Sequence, residues 1–463
     1  MKKIYLSLLI SNLCFAQTLG FEEILEKSLQ NSKDLQKQEI NIQISQENSK
    51  ELNYANFGKL SLNSEISRTN HAGYVFMGKL SSREATFDDF GAGDFMENQY
   101  PNSLNIEPKN LNYPNARTNI NTKLAYDIPL FMGFSMQNQA DILNLLEKAN
   151  KTLYTLDKKN LEFEVLQAYN GAVLAKDFVQ TMKKAQEQMS FIEKGAIEFH
   201  KNGLVTKIDV NEAKVYMLNI NSKLIEAQNN FDLALAYLKY LSGDENISDV
   251  EEFYNIYFDL NSLKNSENSL LYNQALNKRD EMTLQNIAIK ANQKNIDVEK
   301  AAYYPQAFAH LEYGVNDNSF TLNSDKDYYT AVLGLSIAIF DGTRSTKVEK
   351  ARLEELKSKL DLEKLKDGIK LELEKALLTY KSKQALLKEK LEAKELAFEV
   401  LEQAKLQYKN RLISMTTLLN QETNYRQSQT LLLNAKYENS LALAKLNLVL
   451  GQSLEENINN KDN

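Results

Sequence analysis

The chain has 463 residues with 5 Pro, 16 Gly and no Trp, and 25% of its residues are charged. So few turn-forming residues indicate a helix-dominated protein and exclude a many-turned all-β fold. The net charge of −7 offers no basic surface for nucleic acid, and the mean hydropathy of −0.46 excludes a bundle of membrane-spanning helices.

The first predicted element is an export signal over residues 1–16. Two lysines precede an apolar run too short to span a bilayer, and Cys14 and Ala16 fit cleavage after Ala16. Lipidation of Cys14 is the alternative, but lipoprotein signals normally have Leu three residues before the cysteine and a small residue directly before it. This chain has Ser11 and Leu13 there, so we favour plain cleavage.

The remaining chain predicts one order of elements twice. Each repeat (17–243 and 268–451) has a short helix, a medium helix, a strand, a loop, a strand and two long helices. The predicted ranges are 21–30, 33–55, 57–69, 71–116, 117–130, 135–200 and 207–241, then 268–277, 280–303, 305–316, 317–327, 328–340, 344–408 and 415–450. Residues 244–267 link the repeats, and 452–463 form a polar tail.

Direct alignment supports the duplication. At a shift of 208 residues, "LIEAQNNFDLALAYLKYLSG" (224–243) keeps all but one of its Leu, Ala and Gly positions on residues 432–451. The shift is 247 near the start of the repeats, so one repeat carries an insertion of about 38 residues. Residues 71–116, rich in Gly, Pro, Asn and aromatics, are the candidate, and we read them as one long loop.

The predicted strands alternate between two faces. "KLSLNSEISRT" (59–69) places Leu60, Leu62 and Ile66 on one face and polar residues on the other. Strands of this length, with aromatic residues near their ends, suit a tilted transmembrane β-strand. A small soluble sheet has the same pattern, so both readings stay open on the strands alone.

The predicted long helices are longer than the core of any globular domain. Residues 344–408 contain no Pro and one Gly, with Leu at three- and four-residue spacing between Lys and Glu. Sixty-five helical residues span roughly 100 Å, so we expect these helices to pack lengthwise as coiled coils or as a helical barrel.

Two related turns join the long helices, in "HKNGLVTKIDVNEA" (200–213) and "YKNRLISMTTLLNQ" (408–421). Gly203 suits a positive φ at a helix end, and Thr206 with Asp209 predicts a capping box. Ser414 can cap the second copy. Because Arg411 stands where the first copy has Gly, we expect a different geometry in the second turn.

Catalytic or metal-binding constellations are missing from the sequence. The three His residues are far apart, and no Ser/His/Asp set or paired carboxylates stand out from the coiled-coil charge pattern. We therefore predict no enzyme, no cofactor and no metal site.

The order and duplication of these features resemble the TolC-like outer-membrane efflux and secretion channels. The residues that carry the resemblance include Tyr304-Pro305-Gln306 before a strand, Phe340-Asp341-Gly342 after one, and Gly203-Leu204-Val205-Thr206. It implies a mainly α fold with a transmembrane β-barrel portion, in which a homotrimer shares one 12-stranded barrel in outer-membrane lipid. Long helices would form a periplasmic barrel, and a periplasmic adaptor protein and an inner-membrane pump would be partners.

The resemblance also implies site residues. Adaptor docking would involve the turn triplets Asn202-Gly203-Leu204 and Asn410-Arg411-Leu412. The periplasmic gate would involve four positions: Asp209, Tyr408, Thr417 and Asn420. The family has acids where this chain has Thr417 and Asn420, and a gate-tethering Arg at Ile413, so a lock based on that Arg is not carried over.

We therefore predict the passive exit duct of a tripartite efflux or type I secretion system. The competing reading is a periplasmic coiled-coil adaptor or scaffold without a channel. Adaptors usually carry a small β-rich domain between their hairpin arms, and we find none in this sequence.

Overall fold

The computed structural model describes residues 17–98, 101–256, 268–320 and 324–454. The predicted export signal, residues 257–267 of the predicted linker and residues 455–463 of the predicted tail lie outside the described residues. Within the described parts, no helix is both long enough and apolar enough to cross a membrane.

Eleven helices lie in the described residues, and eight of them follow the predicted order. The eleven are α1 (Phe21–Asn31), α2 (Lys33–Ala55), α3 (Ala72–Ser81), α4 (Ala92–Glu97), α5 (Lys109–Asn112), α6 (Ser135–Lys201), α7 (Lys207–Ser242), α8 (Asn268–Lys278), α9 (Asp280–Lys300), α10 (Arg344–Lys409) and α11 (Met415–Val449). The strands are β1 (Gln17–Leu19), β2 (Lys59–Thr69), β3 (Arg117–Met132), β4 (Ile247–Val250), β5 (Gln306–Asp317) and β6 (Asp327–Ser336).

The chain forms two compact units. The first comprises Met1–Ile42, Ala149–Asn286 and Lys359–Asn463. Its largest apolar core lies between α1, the middle of α6 and the end of α7, where Phe21 packs edge-on against Tyr169 with ring centroids 5.6 Å apart. The buried residues of α6 recur at three- and four-residue spacing, as an amphipathic helix requires.

A small parallel sheet in this unit is not predicted from the sequence. β1 pairs with β4, with Leu19 opposite Val250, and both side chains are buried in the same core. The predicted linker therefore contributes a strand. The first residues of the predicted polar tail also dock, because Glu162 accepts hydrogen bonds from Ser453 Oγ at 2.8 Å and from the Leu454 N–H at 2.7 Å.

The second unit comprises Gln43–Lys148 and Ile287–Ser358. It holds an antiparallel sheet in the order β2-β3-β5-β6, so the strands of the two repeats meet at the β3–β5 pair. The register places Leu124 opposite both Leu62 and Tyr313, and Tyr313 opposite Tyr329. Directly opposed residues share a face of the sheet, so this register defines two continuous faces.

One face of the sheet is apolar and exposed. Its side chains Leu60, Leu62, Ile66, Leu124, Leu311, Tyr313, Tyr329, Leu333 and Leu335 have exposed fractions between 44% and 83%. The opposite face is polar and carries Lys123, whose Nζ lies 2.9 Å from Glu312 Oε2. Alternation along the strands thus continues across all four of them.

Two details differ from the sequence prediction. Residues 71–116 are not one loop, because their described part holds α3, α4, α5 and two 3₁₀ turns. The helix α3 packs against the sheet through Val75 and Gly78, which are buried, so tertiary contacts stabilise a helix whose sequence has no amphipathic period. In addition, β6 ends at Ser336 rather than continuing to 340.

Candidate functional site

The turn between α6 and α7 is a glycine-terminated helix end. Gly203 has a φ of +69°, the Gly203 N–H donates to His200 O at 2.9 Å, and the Leu204 N–H donates to Phe199 O at 2.8 Å. These two hydrogen bonds form a Schellman motif. His200 Nδ1 also lies 3.0 Å from Val205 O, so this histidine closes the turn.

The next helix begins with the predicted capping box. The Thr206 N–H donates to Asp209 Oδ2 at 2.9 Å, and the Asp209 N–H donates to Thr206 Oγ1 at 3.4 Å. The negative carboxylate also lies in the first turn of α7, where the helix dipole favours it. Asp209 therefore has a structural role in ending one helix and starting the other.

The turn between α10 and α11 has the same backbone geometry, contrary to our expectation. Arg411 has a φ of +63°, its N–H donates to Tyr408 O at 2.9 Å, and the Leu412 N–H donates to Gln407 O at 2.9 Å. Ser414 caps α11 by accepting from the Thr417 N–H at 3.2 Å. The second copy keeps the motif although Arg replaces Gly, so Arg411 carries backbone strain.

Exchanging the residues at the αL position tests this strain. We expect Arg411→Gly to raise the free energy of unfolding by about 1 kcal/mol, because Gly adopts positive φ without steric cost. Gly203→Arg should lower it by a similar amount, since open space surrounds the Cβ position of Gly203 and only the backbone is strained. Chemical denaturation of both variants measures this. Equal destabilisation by both changes would contradict the strain argument.

Helices α6, α7, α10 and α11 pack together beside the two turns. Val210, Met415 and Leu418 are buried in one core with Met189 and Leu401. A direct hydrogen bond of 3.0 Å from Thr416 Oγ1 to Glu212 Oε2 links α11 to α7. The structure therefore brings the turns of the two repeats to one place.

The predicted docking leucines lie on the surface of this assembly. Leu412 is 73% exposed and Leu204 is 39% exposed, and both follow a residue with positive φ. Their neighbours Asn202 and Asn410 are exposed as well. An exposed apolar pair at two adjacent helix ends is a surface suited to a protein partner, and the docking role stays a prediction.

The four predicted gate residues form two pairs, Asp209 with Tyr408 and Thr417 with Asn420. Tyr408 is half-buried, its hydroxyl has no hydrogen-bond partner in the described residues, and burial together with the charge of Asp209 raises its pKa. Thr417 and Asn420 are exposed. Asn420 lines a groove of about 430 Å³ together with Ile208 and Val215. The gating role of these residues stays a prediction.

A buried polar cluster between α7 and α11 is missed by the sequence reading. Glu422 is 1% exposed and accepts a hydrogen bond of 2.8 Å from the Tyr216 hydroxyl. Arg426, 8% exposed, donates to the same hydroxyl at 3.1 Å and lies 3.8 Å from Glu422. The sequence feature that could have revealed this cluster is Glu422, a charged residue that lies seven positions after Met415 on the apolar face of α11.

Metal chemistry finds no support at these turns or elsewhere in the residues that the structure covers, which contain no group of three or more His, Cys, Asp or Glu side chains placed to hold an ion. The site consists of helix ends, exposed leucines and a buried polar cluster.

Two helical hairpins and four strands make up the two repeats, which is the element order that the resemblance to TolC-like channels implies. The model of the outer membrane efflux protein family matches residues 271–452, and the predicted resemblance is confirmed. A comparison with curated proteins finds no match.

Solved structures confirm the fold class. The structure of CusC has a TM-score of 0.75 at 14% identity, covering 94% of this chain and 92% of CusC. VceC from Vibrio cholerae gives 0.72 at 14% identity, covering 94% and 96%. CmeC from Campylobacter jejuni gives 0.74 at 14% identity, covering 95% and 89%. At this identity the likeness establishes the fold.

Proposed function

We propose that the chain is one protomer of a homotrimeric outer-membrane exit duct that passively conducts substrate from an inner-membrane pump and a periplasmic adaptor to the exterior. The observation that carries the proposal is the exposed apolar face of the four-stranded sheet, with its polar opposite face. This is the division between lipid and lumen that a membrane-spanning strand requires.

The edges of the sheet support a shared barrel. In the described residues, β2 and β6 each pair with one strand only. Unpaired backbone groups are not tolerated in lipid, so the strands need neighbours from other copies. Three sheets of four strands would close one 12-stranded barrel and leave no free edge.

Exposed apolar residues along α7 support association of several copies. They are Ile208, Val215, Leu218, Ile225, Leu233 and Tyr240, each at least 58% exposed. Their spacing of three, seven or eight residues forms the stripe of a coiled-coil seam. A second copy would cover this stripe, as a helical barrel built from three protomers requires.

We assign the turn triplets to adaptor docking and the cluster around Asp209 and Tyr408 to the periplasmic gate. The exposure of Leu204 and Leu412 supports the first assignment. The desolvated Tyr408 hydroxyl, influenced by the charge of Asp209, supports the second. Nothing in the site favours catalysis, and the matched family is one of efflux proteins.

A pair of charge substitutions on β2 tests the proposal. Leu62→Arg places a cation on the apolar face and should weaken membrane insertion by about 2–4 kcal/mol. Asn63→Arg, its neighbour on the polar face, is the matched control and should insert normally. Outer-membrane fractionation and heat-modifiable migration measure insertion.

Single-channel recordings of the purified trimer in planar bilayers give the functional readout. We expect conductance from the unaltered protein and from Asn63→Arg. Absence of conductance, even with the turns destabilised, would sink the proposal. Extraction of the chain as a soluble species would favour a periplasmic adaptor or scaffold instead.

A further inference from the structure

The helix α3 lies on the polar face of the sheet. Asn316 Nδ2 donates to Gly78 O at 3.5 Å, and a Cβ added to Gly78 would lie 3.1 Å from Asn119 Oδ1. Asn119 and Asn316 also hydrogen-bond to each other. Both belong to the polar face. Asn119 and Asn121 lie four and two residues from Lys123 on β3, so all three share its face, and Asn316 is directly opposite Asn121.

Ion pairs hold the end of α3 to the strands. Arg117, the first residue of β3, lies 2.7 Å from Glu84 Oε2 and donates to Ser82 Oγ at 2.6 Å. Lys326 pairs with Glu84 and, at 2.6 Å, with Asp317. We call Glu84, Arg117, Lys326 and Asp317 the outer latch. Glu84 lies in the connection from β2 to β3 and Arg117 at its end, whereas Asp317 and Lys326 lie at the start and the end of the connection from β5 to β6. Because the outer latch joins these two connections, it fixes α3 in place.

The outer latch is charged at neutral pH. Burial of Glu84 works to raise its pKa, but hydrogen bonds from Lys326 and Arg117 outweigh burial and the pKa is lowered. Asp317 and Arg117 are largely shielded, with side chains 5% and 12% exposed. Shielded ion pairs are screened less by salt than surface pairs, so this contact persists at physiological ionic strength.

The side of α3 that faces away from the strands is apolar. Tyr74 is 70% exposed and Met77 is 59% exposed, whereas Val75 and Gly78 are buried. If the polar face of the sheet borders a water-filled lumen, α3 projects into that lumen and presents apolar side chains to it. Apolar constrictions oppose the passage of water and ions.

We propose that α3 is a lid at the outer mouth of the channel, held on the lumen surface by the outer latch. The proposal rests on the proposed function, which makes the polar face the lumen surface. Each of three copies would place one lid in the shared barrel and narrow its mouth from three sides. The lid would exclude large polar solutes approaching from outside.

Size-dependent cysteine labelling tests the lid. Asn63→Cys, on the polar face of β2, is introduced with Cys14→Ser, which removes the single native cysteine. Asn63 lies opposite Lys123, four residues along β3 from Asn119, so it is about 13 Å beyond the contact with α3. Intact cells receive a small membrane-impermeant maleimide or the same maleimide on a polyethylene glycol of about 5 kDa, and we expect labelling by the large reagent to be at least about tenfold slower.

Two glycines of α3 provide a matched pair of variants. Gly78→Phe should force α3 off Asn119 and Arg117, so the large reagent should approach the rate of the small one. Gly73→Phe, at the exposed start of the same helix, meets only the His71 ring and should retain the size discrimination. Glu84→Gln, which breaks two ion pairs of the outer latch, should reduce the discrimination without changing the bulk of the helix.

Each outcome decides a separate point. If both reagents label Asn63→Cys at equal rates while α3 and the outer latch are unaltered, the lid proposal is wrong. Discrimination that persists unchanged in both Gly78→Phe and Glu84→Gln also overturns it. If Leu62→Cys reacts with the small reagent while Asn63→Cys does not, the orientation of the sheet is wrong and the proposed function fails instead.

Discussion

Glu422→Ala should lower the free energy of unfolding of the helical unit by about 3–5 kcal/mol, because it leaves the charge of Arg426 buried without a partner. Glu422 is 1% exposed and is hydrogen-bonded to Tyr216. The second guanidinium nitrogen of Arg426, Nη1, already has no hydrogen-bond partner in the described residues. Chemical denaturation followed by circular dichroism measures the change.

An exposed ion pair between α10 and α11 provides the control. Lys383 Nζ lies 2.7 Å from Glu438 Oε2, with side chains 33% and 45% exposed. Glu438→Ala should change stability by less than about 1 kcal/mol. A loss of similar size in both variants would show that burial of the Glu422 cluster has no special role.

The same cluster bears on gating. It joins α7 of the first hairpin to α11 of the second, beside the core that packs the two turns. Tyr216→Phe removes its shared hydroxyl at a smaller stability loss of about 1–2 kcal/mol. We expect this variant to stay folded and to show longer open times in bilayer recordings, because the hairpins would separate more easily.

The order of helices and strands could be predicted because each element carries its own period. The three- and four-residue spacing in α6 and the alternation in β2 correspond to the faces that the structure buries or exposes. The segment that holds α3 has no such period, and its glycines Gly73 and Gly78 disfavour a helix. Contacts with strands that are distant in sequence stabilise this helix, and local sequence patterns do not reveal such contacts.

The site was predictable to the extent that local hydrogen bonds define it. The capping residues Thr206 and Ser414 follow from turn chemistry alone. The geometry at Arg411 could not be predicted from residue preference, because packing of the two adjoining helices outweighs a strain of about 1 kcal/mol. The partners of Glu422 depend on how two hairpins meet, which sequence spacing does not specify.

Replacing both turn leucines by glutamate should weaken adaptor docking strongly while trimers still assemble. Burial of an exposed leucine in an interface contributes about 1–2 kcal/mol, so Leu204→Glu with Leu412→Glu should weaken adaptor binding at least about tenfold. Of the two single substitutions, Leu412→Glu should weaken binding more than Leu204→Glu, since Leu412 is 73% exposed and Leu204 only 39%. Co-purification of the cognate adaptor and efflux by its pump measure the loss, and isoleucine at both positions is the control. An adaptor that binds the double glutamate variant normally would remove the turns from the docking surface, because a negative charge at two desolvated leucine positions cannot be accommodated without loss of affinity.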